Sequence, residues 1–325
     1  MNEFVLAGDL GGTNLRIAAI DAHGRVLAKA AAATPRHRDE SRIVASTIEL
    51  VKLCRNEAGG NPVAFGFAIP AIMCSSEGRI FSSPNLPELN NSDLWSPLSE
   101  ALGLKVIIEN DANAAAIGEH WLGAARGSLN SICVTLGTGV GGGVIIDGKI
   151  FRGPDGTAGE IGHICVEPLG PPCGCGSNGC LEQFSSATAI TRMAAEFSED
   201  FPDSGWAKDT PLDAQTIYEQ GARGDLLALE VFRLAGSYLG IALAGLVNVL
   251  NPEAIVIGGG VATGWDLFIE ATRSEIRKRA FREPAERARI FRASLGNDSG
   301  LIGAAFLALN AAGGSNNITT ANSQA

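Results

Sequence analysis

A short glycine-rich stretch of this chain concentrates four side chains that bind soft metal ions. His163, Cys173, Cys175 and Cys180 lie within it. One imidazole and three thiolates suit a closed, tetrahedral Zn²⁺ site of the structural kind. The alternative is a loop of free thiols, which would leave exposed cysteines open to oxidation. We therefore predict a structural zinc site, and we expect Cys165 to be a core residue on the strand after His163.

Two glycine-rich segments share one pattern. Residues 9–21 (DLGGTNLRIAAID) align without a gap with residues 135–147 (TLGTGVGGGVIID). Each copy predicts a strand, a Gly/Thr turn, a second strand, and a further turn before a third strand. Such a repeat predicts two similar domains, although glycine hairpins also resemble one another by chance.

Glycine turns of this type suit phosphate groups. Backbone N–H groups of a tight hairpin can face an anion, and only glycine lets phosphate oxygens come so close. Thr13 and Thr138 add hydroxyl donors, and Asp9 can hold a hydrated Mg²⁺ that bridges the phosphates. The two hairpins are predicted to clamp a nucleoside triphosphate.

Two better-known glycine motifs fit less well. Residues 137–142 match G-x-G-x-x-G, but a strand-like sequence follows where a dinucleotide site needs a helix. Residues 143–149 match most of a P-loop, but Ile150 stands where Ser or Thr would bind magnesium. The chain also has no G-x-S-x-G elbow to support a hydrolase triad.

Composition limits the partners and the compartment. A net charge of -10 disfavours nucleic acid and anionic membranes as main partners, so we expect small-molecule substrates. The N-terminal MNEFVLAGDL has no signal-peptide pattern, and the apolar residues 239–250 are too few to span a bilayer. Seven cysteines in such a chain favour thiols or metal ligands in a reducing cytoplasm. Cys54, Cys74 and Cys133 are expected to be core residues.

The hydrophobic pattern indicates an α/β protein. A three-stranded meander is predicted first, then a helix at 39–54, a strand at 62–70, a turn-rich segment at 75–97, a strand at 104–109 and a helix from Asp111. Later helices are expected at 186–198, 213–221, 225–250, 265–280 and 299–310, with strands at 254–260 and 288–294.

Five motifs together identify a family resemblance. DLGGTNLR, TLGTGVGGG, GEIGH, CGCGSNGCLE and IGGGVA, in this order, resemble the bacterial ROK family of sugar kinases, and its glucokinases most of all. The resemblance covers about residues 4–310 and implies the two-lobed, actin-like, hexokinase-type (ribonuclease H-like) fold. We expect a small lobe at 1–115 completed by the helix at 299–310, a large lobe with the zinc loop at 116–298, and a disordered tail at 311–325.

The resemblance also implies an activity, namely ATP- and Mg²⁺-dependent phosphorylation of a hexose, with glucose at its 6-hydroxyl the first choice. Asp111 matches the family's general base, which would accept the proton of the attacking hydroxyl. Helix capping is the other common use of such an aspartate, and both roles can hold together. The residues expected to hold the nucleotide are Asp9, Gly11, Gly12, Thr13, Gly137, Thr138, Gly258, Gly259 and Gly260.

The sugar site follows from the same resemblance. A loop of Pro, Gly, Ser and Asn cannot hold itself in one conformation, and zinc ligation contributes ~10 kcal/mol or more in small zinc peptides. Zinc would thus fix the neighbouring side chains, whose acceptors and donors meet the sugar hydroxyls, and would do no chemistry itself. The residues expected to bind the sugar are Asn85, Asn110, Asp111, Glu160, His163 and Glu182.

Alternatives remain open at this stage. N-acetylglucosamine, N-acetylmannosamine or fructose kinases share these motifs, and a polyphosphate donor is also possible. A sugar-responsive transcriptional regulator is disfavoured, because the first predicted strand leaves no room for a helix-turn-helix and the acidic charge opposes DNA binding. Family analogy favours a homodimer or homotetramer.

Overall fold

Helices and strands alternate along most of this chain. The computed structural model describes residues 3–35, 40–74, 79–83, 86–204 and 212–313. The β-strands are β1 (Phe4–Leu10), β2 (Asn14–Asp21), β3 (Val26–Ala33), β4 (Pro62–Ile69), β5 (Ile72–Cys74), β6 (Arg79–Ser82), β7 (Lys105–Asn110), β8 (Ser131–Leu136), β9 (Val140–Ile146), β10 (Lys149–Ile150), β11 (Ala254–Gly258) and β12 (Arg289–Arg292). The α-helices are α1 (Glu40–Ala58), α2 (Trp95–Leu102), α3 (Asp111–Trp121), α4 (Glu182–Ser185), α5 (Ala187–Phe197), α6 (Ala214–Ala222), α7 (Leu226–Leu250), α8 (Trp265–Arg279), α9 (Arg282–Arg287) and α10 (Ser299–Ala311).

The first sheet has the strand order β3-β2-β1-β4-β7. Strands β1 to β3 form the predicted antiparallel meander, and β4 and β7 continue the sheet in parallel. Both faces of β1 are buried, because alternate residues enter different cores. Phe4 and Leu6 pack in one cluster with Ile43 of α1, whereas Val5 and Ala7 pack with α10 on the other face. The sheet therefore lies between two helical layers.

The second sheet repeats this plan, with the order β10-β9-β8-β11-β12. Strand β1 ends at Leu10 and β2 begins at Asn14, while β8 ends at Leu136 and β9 begins at Val140. These positions coincide in the gap-free alignment of the two segments. The internal repeat is thus confirmed in both strand order and turn position.

The chain divides into two compact units. Unit 1 comprises Met1–Leu129, Gly143–Gly159 and Ser294–Ala325, and unit 2 comprises Asn130–Gly142 and Glu160–Ala293. Unit 1 also contains residues 116–129, 143–159 and 294–298, which were expected in the large lobe. Helix α3 crosses the expected boundary at residue 115 and ends at Trp121. The assignment of these units to functional lobes stays a prediction. Residues 314–325, in the predicted tail, lie outside the described residues.

Helix α7 is the one described helix that is long and apolar enough to cross a membrane. Much of its surface is nevertheless buried in unit 2. Gly236 and Gly240 allow close packing on α8, because a Cβ at either position would meet the backbone oxygen of Phe268 or Thr272. The Thr272 hydroxyl also donates a hydrogen bond to the Gly236 carbonyl oxygen at 2.9 Å. Helix α7 is therefore a packed helix of this unit.

The contact between α3 and α10 depends on glycine, which leads to a stability prediction. A Cβ at Gly303 would lie 1.7 Å from the Ala114 carbonyl oxygen. We expect Gly303→Ala to lower the free energy of unfolding by about 1–3 kcal/mol, because the helices must separate. Urea denaturation measures the change.

A matched control for this prediction is Gly245→Ala in α7, where an added Cβ meets nothing within 4 Å. This change should raise stability by roughly 0.5–1 kcal/mol through helix propensity. Equal stability of Gly303→Ala and the native chain would contradict the proposed close packing.

Candidate active site

The turn between β1 and β2 contains the first group of predicted nucleotide residues, Gly11, Gly12 and Thr13. The Gly11 N–H donates to the Asn14 carbonyl oxygen at 2.8 Å. Thr34, just after β3, supports the turn twice. Its hydroxyl donates to the Gly11 carbonyl oxygen at 2.7 Å, and its N–H donates to the Thr13 carbonyl oxygen at 2.8 Å. The turn is therefore fixed by a neighbouring strand, while Thr13 itself is exposed.

Asp9 lies within β1, one residue before its end. Its carboxylate forms an ion pair with Arg16, the residue opposite it on β2. Burial raises the pKa of Asp9, and the Arg16 charge opposes this rise. Asp298 joins the group through Arg16 at 3.4 Å and Lys29 at 2.5 Å. Arg16 was not among the predicted site residues, although the hairpin register pairs it with Asp9.

Asn110 and Asp111 lie where β7 ends and α3 begins. Asn110 caps the helix, because its Oδ1 accepts from the N–H groups of Ala112 and Asn113 at 2.9 and 3.0 Å. Its Nδ2 donates to the Ala71 carbonyl oxygen at 3.2 Å. Asp111 is the first helical residue, and its Oδ1 accepts from the Ala112 N–H at 2.8 Å. The N-cap position considered for Asp111 is thus occupied by Asn110.

Glu109 precedes this pair and was not among the predicted site residues either. Its side chain is only 2% exposed and is paired with Arg152. Arg152 Nε and Nη2 donate to Oε2 at 2.8 and 2.6 Å. Oε1 accepts from Asn113 Nδ2 at 3.2 Å and from the Asn110 N–H at 3.0 Å. Glu109 therefore connects Arg152 to the backbone that carries Asn110 and Asp111.

The turn at residues 137–139 in unit 2 is the counterpart of the turn at 11–13. It closes through a hydrogen bond from the Gly137 N–H to the Gly139 carbonyl oxygen at 2.9 Å. Gly258 ends the parallel strand β11, and Gly259 follows it with φ of 86°. A Cβ at Gly259 would lie 2.3 Å from the Leu136 carbonyl oxygen, so this position requires glycine on both counts.

A pocket of about 230 Å³ opens beside these glycines in unit 2. Gly137, Thr138 and Gly260 contribute to its lining, whereas Gly258 and Gly259 do not. The remaining wall is largely apolar, with the rings of Tyr218 and Phe232 packed edge to face, and includes the amide of Gln215. An apolar pocket next to a phosphate-type turn suits a nucleobase. Gln215, Tyr218 and Phe232 carry no motif by which the sequence could have identified them.

The four predicted zinc ligands meet in unit 2. Their ligand atoms all lie within 4.8 Å of one another. Cys173 Sγ is 3.6 Å from His163 Nδ1, and Cys175 Sγ is 3.6 Å from Cys180 Sγ. Zn–S bonds of ~2.3 Å in a tetrahedron give S···S separations of about 3.8 Å, so the site fits this ion. Burial raises the pKa of Cys180 to about 12, and its thiolate therefore needs a neighbouring cation.

The prediction for Cys165 was wrong. Cys165 is exposed, and it lies in an isolated bridge to Cys180 rather than in a strand. A single bridge has no buried sheet face on which a core side chain could lie. Cys54 and Cys133 are buried as predicted, and the side chain of Cys74 lies outside the described part of the chain.

Three of the predicted sugar-binding residues come together in unit 2. His163 Nε2 is 3.9 Å from Glu160 Oε2. Partial burial raises the pKa of Glu160, the Glu182 carboxylate adds to the rise, and His163 opposes it. Glu182 Oε2 accepts from the Val140 N–H at 2.9 Å, so this side chain also contacts the start of β9. Asn85 lies outside the described residues.

Comparison with known proteins identifies relatives over nearly the whole chain. The glucokinase of Halalkalibacterium halodurans is 36% identical over 307 residues, covering 92% of this chain and 93% of that protein. The glucokinase of Thermotoga maritima is 32% identical over 310 residues, covering 94% of this chain and 97% of that protein.

Solved structures agree with these relatives. The crystal structure of a ROK family glucokinase from Streptomyces griseus in complex with glucose and AMPPNP matches with a TM-score of 0.82 at 34% identity, covering 94% of this chain and 99% of that one. This match and the repeated five-stranded sheets confirm the predicted actin-like, hexokinase-type α/β fold. The ROK family model matches residues 5–311, and the chain therefore belongs to the ROK family.

Proposed function

We propose that this chain phosphorylates a hexose with ATP and that glucose, at its 6-hydroxyl, is the preferred substrate. The observation that carries this proposal is the likeness to the Streptomyces griseus glucokinase, whose crystals hold glucose and AMPPNP. The relatives named glucokinase support the choice of sugar. The aromatic pocket beside the turn at 137–139 supports the choice of a nucleotide donor.

Asp111 is assigned as the general base. Its place as the first residue of α3 fixes its backbone, because Asn110 and Glu109 hold the preceding turn. From there it would accept the proton of the attacking sugar hydroxyl. Gly11, Gly12, Thr13, Gly137, Thr138 and the glycines at 258–260 are assigned to the nucleotide.

Magnesium and zinc take separate roles in this proposal. Mg²⁺ bound to ATP would neutralise phosphate charge, and Asp9, whose Oδ2 accepts from Arg16, is the carboxylate assigned to its hydration shell. Zn²⁺ at His163, Cys173, Cys175 and Cys180 supplies structural order only. His163 would bind the ion through Nδ1, which leaves Nε2 to face Glu160 and the sugar.

We place this reaction in the cytoplasm, since the thiolates of such a zinc site require a reducing compartment. A homodimer or homotetramer remains our expectation for the assembly, and light scattering would measure it.

A coupled assay of ADP release over a sugar panel tests the proposed function. We expect the highest kcat/KM for glucose, with N-acetylglucosamine, N-acetylmannosamine and fructose at least about tenfold lower, as a shape-selective pocket permits. Replacing ATP by polyphosphate tests the donor. If no hexose is phosphorylated although glucose binds in calorimetry, the kinase proposal fails and a sugar sensor takes its place.

A further inference from the structure

The turn at 137–139 is held by one short segment that follows the zinc loop directly. We call residues 182–188 the brace segment. Its contacts to the turn all involve backbone groups of residues 137–140, so they fix the path of the chain there. The three contacts are the Val140 N–H to Glu182 Oε2 at 2.9 Å, the Ala187 N–H to the Gly137 carbonyl oxygen at 2.8 Å, and the Thr188 hydroxyl to the Thr138 carbonyl oxygen at 2.8 Å.

Glu182 lies very close to this turn. A Cβ on Gly139 would lie 2.3 Å from Glu182 Oε2, so the carboxylate is in contact with the turn's backbone. A hydrogen bond from a backbone N–H to a carboxylate is stronger than one to a neutral acceptor. Of the three contacts, the one made by Glu182 is therefore expected to contribute most to the position of the turn.

The zinc loop sets the position of Glu182. The metal ligand Cys180 is fully buried and lies two residues before it. The Leu181 N–H donates to the Ile164 carbonyl oxygen at 2.9 Å, and the Gln183 N–H donates to the Cys180 carbonyl oxygen at 2.9 Å. The backbone on both sides of Glu182 is thus tied to the loop that the four metal ligands close.

We propose that Glu182 is a positioning residue for the nucleotide, through which the metal-bound loop fixes the turn that holds the phosphates of ATP. Metal binding then supports ATP binding as well as sugar binding. This inference rests on the proposed function, because it requires that the turn at 137–139 contacts ATP. It gives Glu182 a role beyond the sugar contact expected from the sequence, and that role exists in the absence of sugar.

Calorimetric titration of AMPPNP with Mg²⁺, without sugar, tests the role of Glu182. We expect Glu182→Ala to weaken AMPPNP binding about tenfold, the effect of losing a charge-assisted hydrogen bond. Glu182→Gln should stay within about threefold of the native affinity, because its amide oxygen can still accept from the Val140 N–H.

The second contact of the brace segment offers a matched pair. Thr188→Val removes the hydroxyl that reaches the Thr138 carbonyl oxygen, and we expect about threefold weaker AMPPNP binding. Ser198→Ala is the control, since its hydroxyl donates to the Ala195 carbonyl oxygen at the other end of α5. The control should bind AMPPNP as the native chain does.

Removal of the metal tests the connection to the loop. A zinc chelator should weaken AMPPNP binding to the native chain about tenfold, and far less in the Glu182→Ala background, where the connection is already broken. Circular dichroism of each sample checks that the chain stays folded. An equal loss in both backgrounds would mean that the metal acts by another route, which would overturn the inference.

The other outcomes are also decisive. Native affinity in Glu182→Ala would remove Glu182 as a positioning residue. Tighter AMPPNP binding in both Glu182 variants would mean that its charge repels the phosphates, which also overturns the inference. If the native chain binds no AMPPNP, the proposed function itself fails. If the native chain binds AMPPNP and the variants bind it equally well, only the role of Glu182 fails.

Discussion

Replacement of Asp111 by asparagine is expected to lower kcat for glucose by about 10²–10⁴-fold, the usual contribution of a general base. Asparagine has the same shape, and its oxygen can still accept from the Ala112 N–H, as Asp111 Oδ1 does at 2.8 Å. Asn110 continues to cap α3 in the variant. Glucose affinity should therefore change little, so the loss concerns the chemical step. The coupled ADP assay gives kcat, and calorimetry gives the dissociation constant of glucose.

Asp225→Asn is the matched control for this experiment. Asp225 caps α7 by accepting from the Ala228 N–H at 2.9 Å, and asparagine is an equally good cap. The control should keep native kcat and stability. A kcat for Asp111→Asn within tenfold of native would remove Asp111 as the base and would leave positioning and electrostatics as the source of the rate.

The elements around the candidate site could largely be predicted because their signals are local. The Gly11 and Gly137 turns lie between short apolar runs, and the gap-free alignment of the two segments predicted the position of both turns to within one residue. The cluster of His163 and three cysteines could equally be predicted from the sequence, because only a few residue types bind zinc. Turns and metal ligands of this kind can be predicted from neighbouring residues alone, because their position does not depend on how distant segments pack.

Other features depend on packing between distant segments and could not be predicted. Arg152 follows Glu109 by some forty residues, and nothing in either neighbourhood indicates that they meet. The segment at 75–97, expected to be turns, contains the start of α2 and the strand β6, which has only four residues and is too short to show a period. Cys165 was misassigned because its apolar neighbours suggested a strand where only one bridge forms.

Arg152→Ala is expected to have the largest effect on stability among the charged residues discussed. Arg152 is 33% exposed, but its partner Glu109 is buried, so the variant leaves a buried carboxylate without its cation. We expect the free energy of unfolding to fall by about 2–3 kcal/mol, less than the ~3–5 kcal/mol of a fully buried pair because solvent reaches Arg152. Urea denaturation at neutral pH measures the loss.

A comparison pair separates charge from packing. Glu109→Gln in the Arg152→Ala background removes the uncompensated charge and should restore about half of the lost stability or more. Arg282→Ala is the control, because the side chains of Arg282 and of its partner Glu286 are 83% and 63% exposed. This surface pair should cost no more than about 1 kcal/mol.

Arg152→Ala should also slow the reaction. Its partner Glu109 accepts, through Oε1, from the Asn110 N–H next to the proposed base Asp111. When Arg152 is removed, Glu109 Oε2 loses the donors that fix it, and the carboxylate that accepts from the Asn110 N–H is held less firmly. We expect kcat to fall about tenfold with a smaller change in KM for ATP, since a small displacement of a base is enough to slow proton transfer. A double variant that regains stability but not kcat would mean that the charge of Glu109 itself orients Asp111. A double variant that stays as unstable as Arg152→Ala would instead attribute the loss to the packing of the arginine side chain.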